Sequence, residues 1–196
     1  MLRDLGVETK RFERAYVHDF YRKNGLRGGT YFDRETFGVD RVVQYPIMDY
    51  SNFIPLPSTK LSSSEAVAQM PLGENAKREL LQLLNLRENR LPDVPAAKQA
   101  EFLSRLSYRD LLTQYLGVTD PEIFSLFQGL TADSGTSIEF ASALSVTSYV
   151  GLPGLNGTAL ADYETVDEPY IHHFPDGNAS IARLLVRSMI PRVAPG

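Results

Sequence analysis

The sequence predicts an α+β fold that is predominantly helical, and three observations predict it. Helix-start signals recur between residues 62 and 136. Apolar residues fall at helical spacing at Phe12, Tyr16 and Phe20 and again in a Leu stripe over 74–86. A single aromatic and β-branched stretch around Gly38 carries a hairpin pattern.

Residues 8–22 read as a first helix that ends near Gly25. Gly28-Gly29 then opens Thr30-Tyr-Phe-Asp-Arg-Glu-Thr-Phe-Gly-Val-Asp-Arg-Val-Val, whose content and internal Gly38 predict a short hairpin. Pro46, Pro55, Pro57 and a Ser run make 45–64 an irregular connection. Ser62-x-x-Glu65 has the form of a capping box, which satisfies two orphan N–H donors at a helix start. Helices follow over 74–86 and over 95–106, the second opened by Pro95 in its first turn. Ser107-x-x-Asp110 caps a helix over 108–116 with Gly117 past its end, and Thr119-Asp120-Pro121 starts one that runs to about Leu130. Thr136-x-x-Glu139 is read as the cap of a helix running to about Tyr149. Gly151 to Gly157 is a loop, Tyr170-Ile-His-His-Phe alternates as a half-buried strand does, and a last helix over 179–190 stops at Pro191. Three regions result: 1–60 with a helix, a hairpin and a Pro-rich connection; 61–150 as a helical region; and 151–196 with a loop, a strand and a helix.

At 196 residues the chain is long enough to bury roughly 70% of the surface its unfolded form exposes. The absence of cysteine removes disulfides, thiolate metal sites, iron–sulfur clusters and a thiol nucleophile. The start, Met1-Leu-Arg-Asp-Leu-Gly, has neither the basic-plus-apolar pattern of a secretory signal nor a twin arginine. The most apolar stretch, 140–160, is interrupted by Gly151, Pro153, Gly154 and Gly157, so no membrane span is expected. The net charge of −4 is unevenly laid out. From Asp110 to Asp176 there is no Lys or Arg, while ten carboxylates accumulate: Asp110, Asp120, Glu122, Asp133, Glu139, Asp162, Glu164, Asp167, Glu168 and Asp176. Nucleic-acid binding is disfavoured, because phosphate neutralisation needs clustered basic residues. The acidic run reads either as helix caps and N-terminal turns, or as a negative field that attracts a polycation.

Both glycine-bearing loops, Gly25-x-x-Gly28-Gly29 and Gly151-x-x-Gly154-x-x-Gly157, miss the G-x-G-x-x-G spacing that brings amides to a pyrophosphate. Gly135-Thr-Ser137 lacks the second glycine of a nucleophile elbow, so Ser137 reads as a capping or surface serine. His172 and His173 are adjacent, and adjacent strand residues point to opposite faces, so a structural or substrate-lining role is favoured over metal binding.

At Phe32-Asp-Arg-Glu-Thr-Phe-Gly, Ser107-Tyr-Arg-Asp-Leu-Leu, Gly151-Leu-Pro-Gly-Leu and, above all, Glu168-Pro-Tyr-Ile-His-His-Phe-Pro-Asp-Gly-Asn-Ala-Ser-Ile-Ala-Arg-Leu-Leu-Val-Arg, the sequence resembles bacterial spermidine dehydrogenases of the flavin-containing amine oxidoreductase family. The resemblance covers essentially the whole chain. It implies the substrate-side, helical region of a two-domain FAD enzyme that oxidises a polyamine such as spermidine. The Rossmann unit that carries the flavin fingerprint is expected outside these residues, so the chain alone is expected to be inactive. Intact exported members of the family would be periplasmic, whereas this sequence shows no export signal. The resemblance also implies site residues: Asp176, Gly177 and Asn178 in a turn near the flavin, Tyr170, His172 and His173 on the substrate side, and Asp133 and Glu139 as acidic contacts for the amine. The alternative is a non-catalytic helical binding or interaction module derived from the same fold.

Overall fold

The computed structural model describes residues 1–15, 17, 19–48, 59–131, 135–161, 163, 174 and 177–192, and every structural statement below concerns these. The fold is α+β: helices and one two-stranded antiparallel sheet.

The N-terminal segment differs from the single helix expected over 8–22. A 3₁₀ turn at Thr9–Arg11 leads into α1 (Phe12–Ala15), and α2 is the separate Phe20–Lys23. Of its three aromatic positions Tyr16 lies outside the described residues, and Phe12 and Phe20 do not share a buried stripe. Phe12 is buried and meets Phe174 edge to face at 5.0 Å, whereas Phe20 is half exposed and lies against Tyr21. The expected stop near Gly25 is present, with Gly25 in the left-handed region at φ 65°.

Strands β1 (Thr30–Phe32) and β2 (Arg41–Val43) pair in the register Thr30↔Val43, Tyr31↔Val42, Phe32↔Arg41, as the hairpin pattern predicts. Their connection is itself a helical turn, α3 (Arg34–Phe37), because the Asp33 carboxylate caps it by accepting from the Thr36 N–H at 2.8 Å. Alternation buries Phe32 and Val43 and leaves Tyr31 and Val42 outside.

Helix α4 (Ser63–Gln69) begins at the expected capping box, in which the Ser62 side chain accepts from the Glu65 N–H while the Glu65 carboxylate accepts from the Ser62 N–H at 2.8 Å. Helices α5 (Glu74–Leu84) and α6 (Ala96–Arg105) follow. Ser107 caps α7 (Tyr108–Asp110), which widens at once into a π turn at Leu111–Tyr115, shown by the Leu116 N–H donating to the Leu111 carbonyl at 3.1 Å. Asp120 caps α8 (Pro121–Leu130) with Pro121 in its first turn.

The helix expected from Thr136-x-x-Glu139 starts later. It is α9 (Ala143–Ser148), and its cap is Ser142, which accepts from the Ser145 N–H at 3.1 Å. An antiparallel bridge joins Ser142 to Ser107 and explains the shift. The Tyr108 N–H donates to the Ala141 carbonyl at 2.9 Å and the Ala143 N–H to the Leu106 carbonyl at 2.8 Å. Ser142 is therefore held extended beside the start of α7, so the helix begins only after it. Ser142→Ala is expected to cost about 1 kcal/mol in urea unfolding, while Thr136→Ala stays within about 0.5 kcal/mol. Equal costs would return the cap to Thr136.

After a 3₁₀ turn at Leu155–Gly157, the last helix is α10 (Ala179–Met189). One apolar core runs from the sheet, with Phe32 and Val43, through Leu80, Leu103, Leu112 and Phe127 to Leu152, so it crosses the region boundaries drawn near residues 60 and 150. No described helix is long and apolar enough to cross a membrane.

Candidate functional site

The Gly151–Gly157 loop lies against the end of α9 and is held by its own backbone. Gly154 sits at φ 136°, a conformation that side-chain-bearing residues rarely adopt. At Gly157 a Cβ would meet the end of the Leu86 side chain, which would have to move aside. The Arg90 N–H donates to the Gly157 carbonyl at 2.7 Å, and the fully buried Tyr108 donates its hydroxyl to the Pro153 carbonyl at 2.8 Å. Burial pushes the Tyr108 phenol well above its ordinary range, so it stays a proton donor throughout neutral pH.

Between this loop, α9 and the end of α5 lies a cavity of about 310 Å³. Leu83, Leu84 and Leu152 supply apolar wall, Thr147 and Ser148 come from α9, and Tyr163 stands half exposed at the rim. Among the described residues, no lining side chain is charged. The wall hydroxyls are turned to helix carbonyls: Thr147 Oγ1 donates to Ala143 at 2.8 Å and Ser148 Oγ to Leu144 at 2.5 Å.

Of the residues expected at the site, Asp133, Tyr170, His172, His173 and Asp176 lie outside the described residues, as does the expected strand around Tyr170. Gly177 and Asn178 are brought together in a turn that opens α10. The Gly177 N–H donates to the Phe174 carbonyl at 2.9 Å, and Asn178 Oδ1 accepts from the Phe174 N–H at 3.3 Å. Glu139 is elsewhere. It pairs with Arg109 at 3.0 Å, and Arg109 also lies over the Phe124 ring at 4.5 Å. The Ser137 hydroxyl first, then its own backbone N–H and Arg109, hold the Glu139 carboxyl below its usual value.

The described members of the acidic run do structural work. Asp110 accepts from Ser107 Oγ at 2.9 Å and from Gln114 at 3.0 Å; Asp120 caps α8 and accepts from Asn75 at 2.9 Å; Glu122 accepts from the Gly73 N–H at 2.6 Å. With Glu139, these four fit the helix-cap and tether reading. The other six of the ten carboxylates, Asp133, Asp162, Glu164, Asp167, Glu168 and Asp176, lie outside the described residues.

Sequence reasoning missed the cavity, because it treated the Gly151–Gly157 loop as a turn alone. The available signal was that 140–161 contains no charged residue. No protein-family model matches the chain, and no curated protein matches it.

Proposed function

We propose that this chain forms the substrate-side region of an FAD-dependent amine oxidoreductase acting on a polyamine such as spermidine. The observation that carries the reading is the segment Glu168 to Arg187, which resembles spermidine dehydrogenases and runs from the acidic stretch through the Gly177–Asn178 turn into α10. FAD, when bound, supplies the acceptor for the two electrons and hydrogen leaving the carbon next to the amine nitrogen. The chain's own part is to hold and orient the substrate. A region without Lys or Arg suits a polycation, since nothing in it repels an ammonium group and its carboxylates raise the local cation concentration. The flavin fingerprint is not among these residues, so Asp176, Gly177 and Asn178 would supply a minor contact at most. Among the described residues no atom lies within 4 Å of where a Gly177 Cβ would sit, an open turn that is compatible with this reading.

The test is the full reading frame, assayed against an amine panel with a dye acceptor. Spermidine oxidation is expected, with KM rising several-fold between about 50 and 500 mM salt as carboxylate–ammonium attraction is screened. Absence of amine oxidation across the panel would overturn the reading. The second reading, a non-catalytic binding module, draws on one observation. Among the described residues no buried side-chain polar atom lacks a partner, so none of them calls for a further domain to satisfy it. Saturable spermidine binding without turnover would favour it.

A further inference from the structure

We propose that a second cavity, between the end of α5 and the π turn at Leu111–Tyr115, binds a small organic oxyanion: a phosphate or carboxylate carried on an apolar ring. The inference goes beyond the amine reading and does not depend on it.

The cavity has a volume of about 570 Å³, within the range of pockets that hold organic ligands. Its charged wall comes from the segment after α5, where Arg87 and Arg90 flank Glu88. Glu88 is the one carboxylate in the two stretches that line the cavity, 82–90 and 115–117. It pairs with Arg90 at 3.5 Å and is itself 82% exposed, so water screens the pair and an incoming anion competes with it. Arg87 has no carboxylate partner among the described residues. Its Nη1 donates to the Leu86 carbonyl at 2.6 Å and to the Leu84 carbonyl at 3.5 Å, which holds the guanidinium in place and leaves Nε and Nη2 without a partner there. Guanidinium donors form a rigid fork that matches two oxygens of a carboxylate or phosphate. From the π turn comes Tyr115, whose hydroxyl makes no hydrogen bond to a described residue. Its ring packs edge to face on Phe102 at 5.8 Å, so that hydroxyl is a positioned donor. Leu86 and Leu116 supply apolar wall, which suits the body of the ligand rather than its charge.

To test this, phenyl phosphate and benzoate are titrated separately into the 196-residue chain while the Arg87 and Arg90 Nε–H signals and the Gly117 amide are followed by NMR. Saturable shifts are expected with at least one probe, at a Kd below about 1 mM, and the tighter probe identifies the oxyanion. Phenol, which has the ring without the charge, is expected to bind about tenfold more weakly. Arg87→Gln is expected to weaken binding about tenfold, and Tyr115→Phe, which keeps the ring and removes the hydroxyl, about threefold. Glu88→Gln removes the competing carboxylate from an exposed position and is expected to tighten binding about threefold, a gain that a purely structural role for these residues does not produce. No saturable shift with either probe would overturn the proposal. So would phenol binding as tightly as the better anion, or an affinity unchanged in both Arg87→Gln and Glu88→Gln.

Discussion

Gln99→Leu is expected to lower the thermal midpoint by roughly 6 to 12 °C, an unfolding cost of about 3 kcal/mol. Gln99 is fully buried on α6 and joins three segments that no helix or strand joins. Its Nε2 donates to the Leu91 and Val94 carbonyls at 3.0 Å each, and its Oε1 accepts from the Ala159 N–H at 2.7 Å. Leucine keeps most of the volume and none of these bonds, so the Val94 carbonyl and the Ala159 N–H lose this partner, while the Leu91 carbonyl keeps the Val94 N–H at 3.1 Å. Burying a larger apolar surface recovers little, because the penalty lies in the stranded backbone groups rather than in the side chain removed. Calorimetry on the variant decides the matter, and a midpoint within a degree of the parent would show that Gln99 is a passenger.

Glu79→Ala is expected to cost about 3 kcal/mol at neutral pH, and less in acid once the parent's carboxyl is protonated. Glu79 is 8% exposed on α5 and accepts four hydrogen bonds. They come from the Thr119 N–H at 2.9 Å, the Thr119 hydroxyl at 2.6 Å, the Asp120 N–H at 2.9 Å and Asn75 Nδ2 at 3.3 Å. Burial works to raise its pKa, yet the hydrogen bonds from Thr119, Asp120 and Asn75 outweigh it, and the carboxyl titrates below its ordinary value. The sign follows from that direction. A folded-state pKa below the unfolded one gives stability that is complete above about pH 4.3, the unfolded value, and is lost as pH falls through the folded one. The parent protein should therefore lose stability in acid faster than Glu79→Ala, with the gap between the two unfolding curves narrowing as pH falls through the folded-state value. Parallel curves across pH 3 to 7 would remove Glu79 from the account.

Which elements were legible in the sequence follows from how local their causes are. The capping box at Ser62, the Ser107 cap with Gly117 beyond it, and the Asp120-Pro121 start each depend on residues within one helical turn, so the spacing alone located them. The cap at Thr136 went the other way because its competitor is remote: the backbone exchange with Leu106 and Tyr108 fixes residues 141–143, and no window around 136 contains those partners. The π turn at Leu111–Tyr115 and the roles of Gln99 and Glu79 were invisible for the same reason. At the candidate site, the Gly177–Asn178 turn was readable from Gly and Asn ahead of a helix, whereas the cavity is assembled by α9 with the Gly151–Gly157 loop against α5, which is far from both in sequence. Of the acidic run, the described carboxylates at Asp110, Asp120 and Glu122 sit at helix starts, where local electrostatics alone would have put them.

The bridge between Ser107 and Ser142 makes two distant stretches of polypeptide begin their coils from one shared clamp. Neither coil can fray from its front end without exposing the other's first N–H groups, so opening there should be concerted rather than independent. Amides at the starts of α7 and α9 would then exchange with deuterium at a common rate, as parts of a single cooperative unit, even though the chain between them passes through another helix altogether.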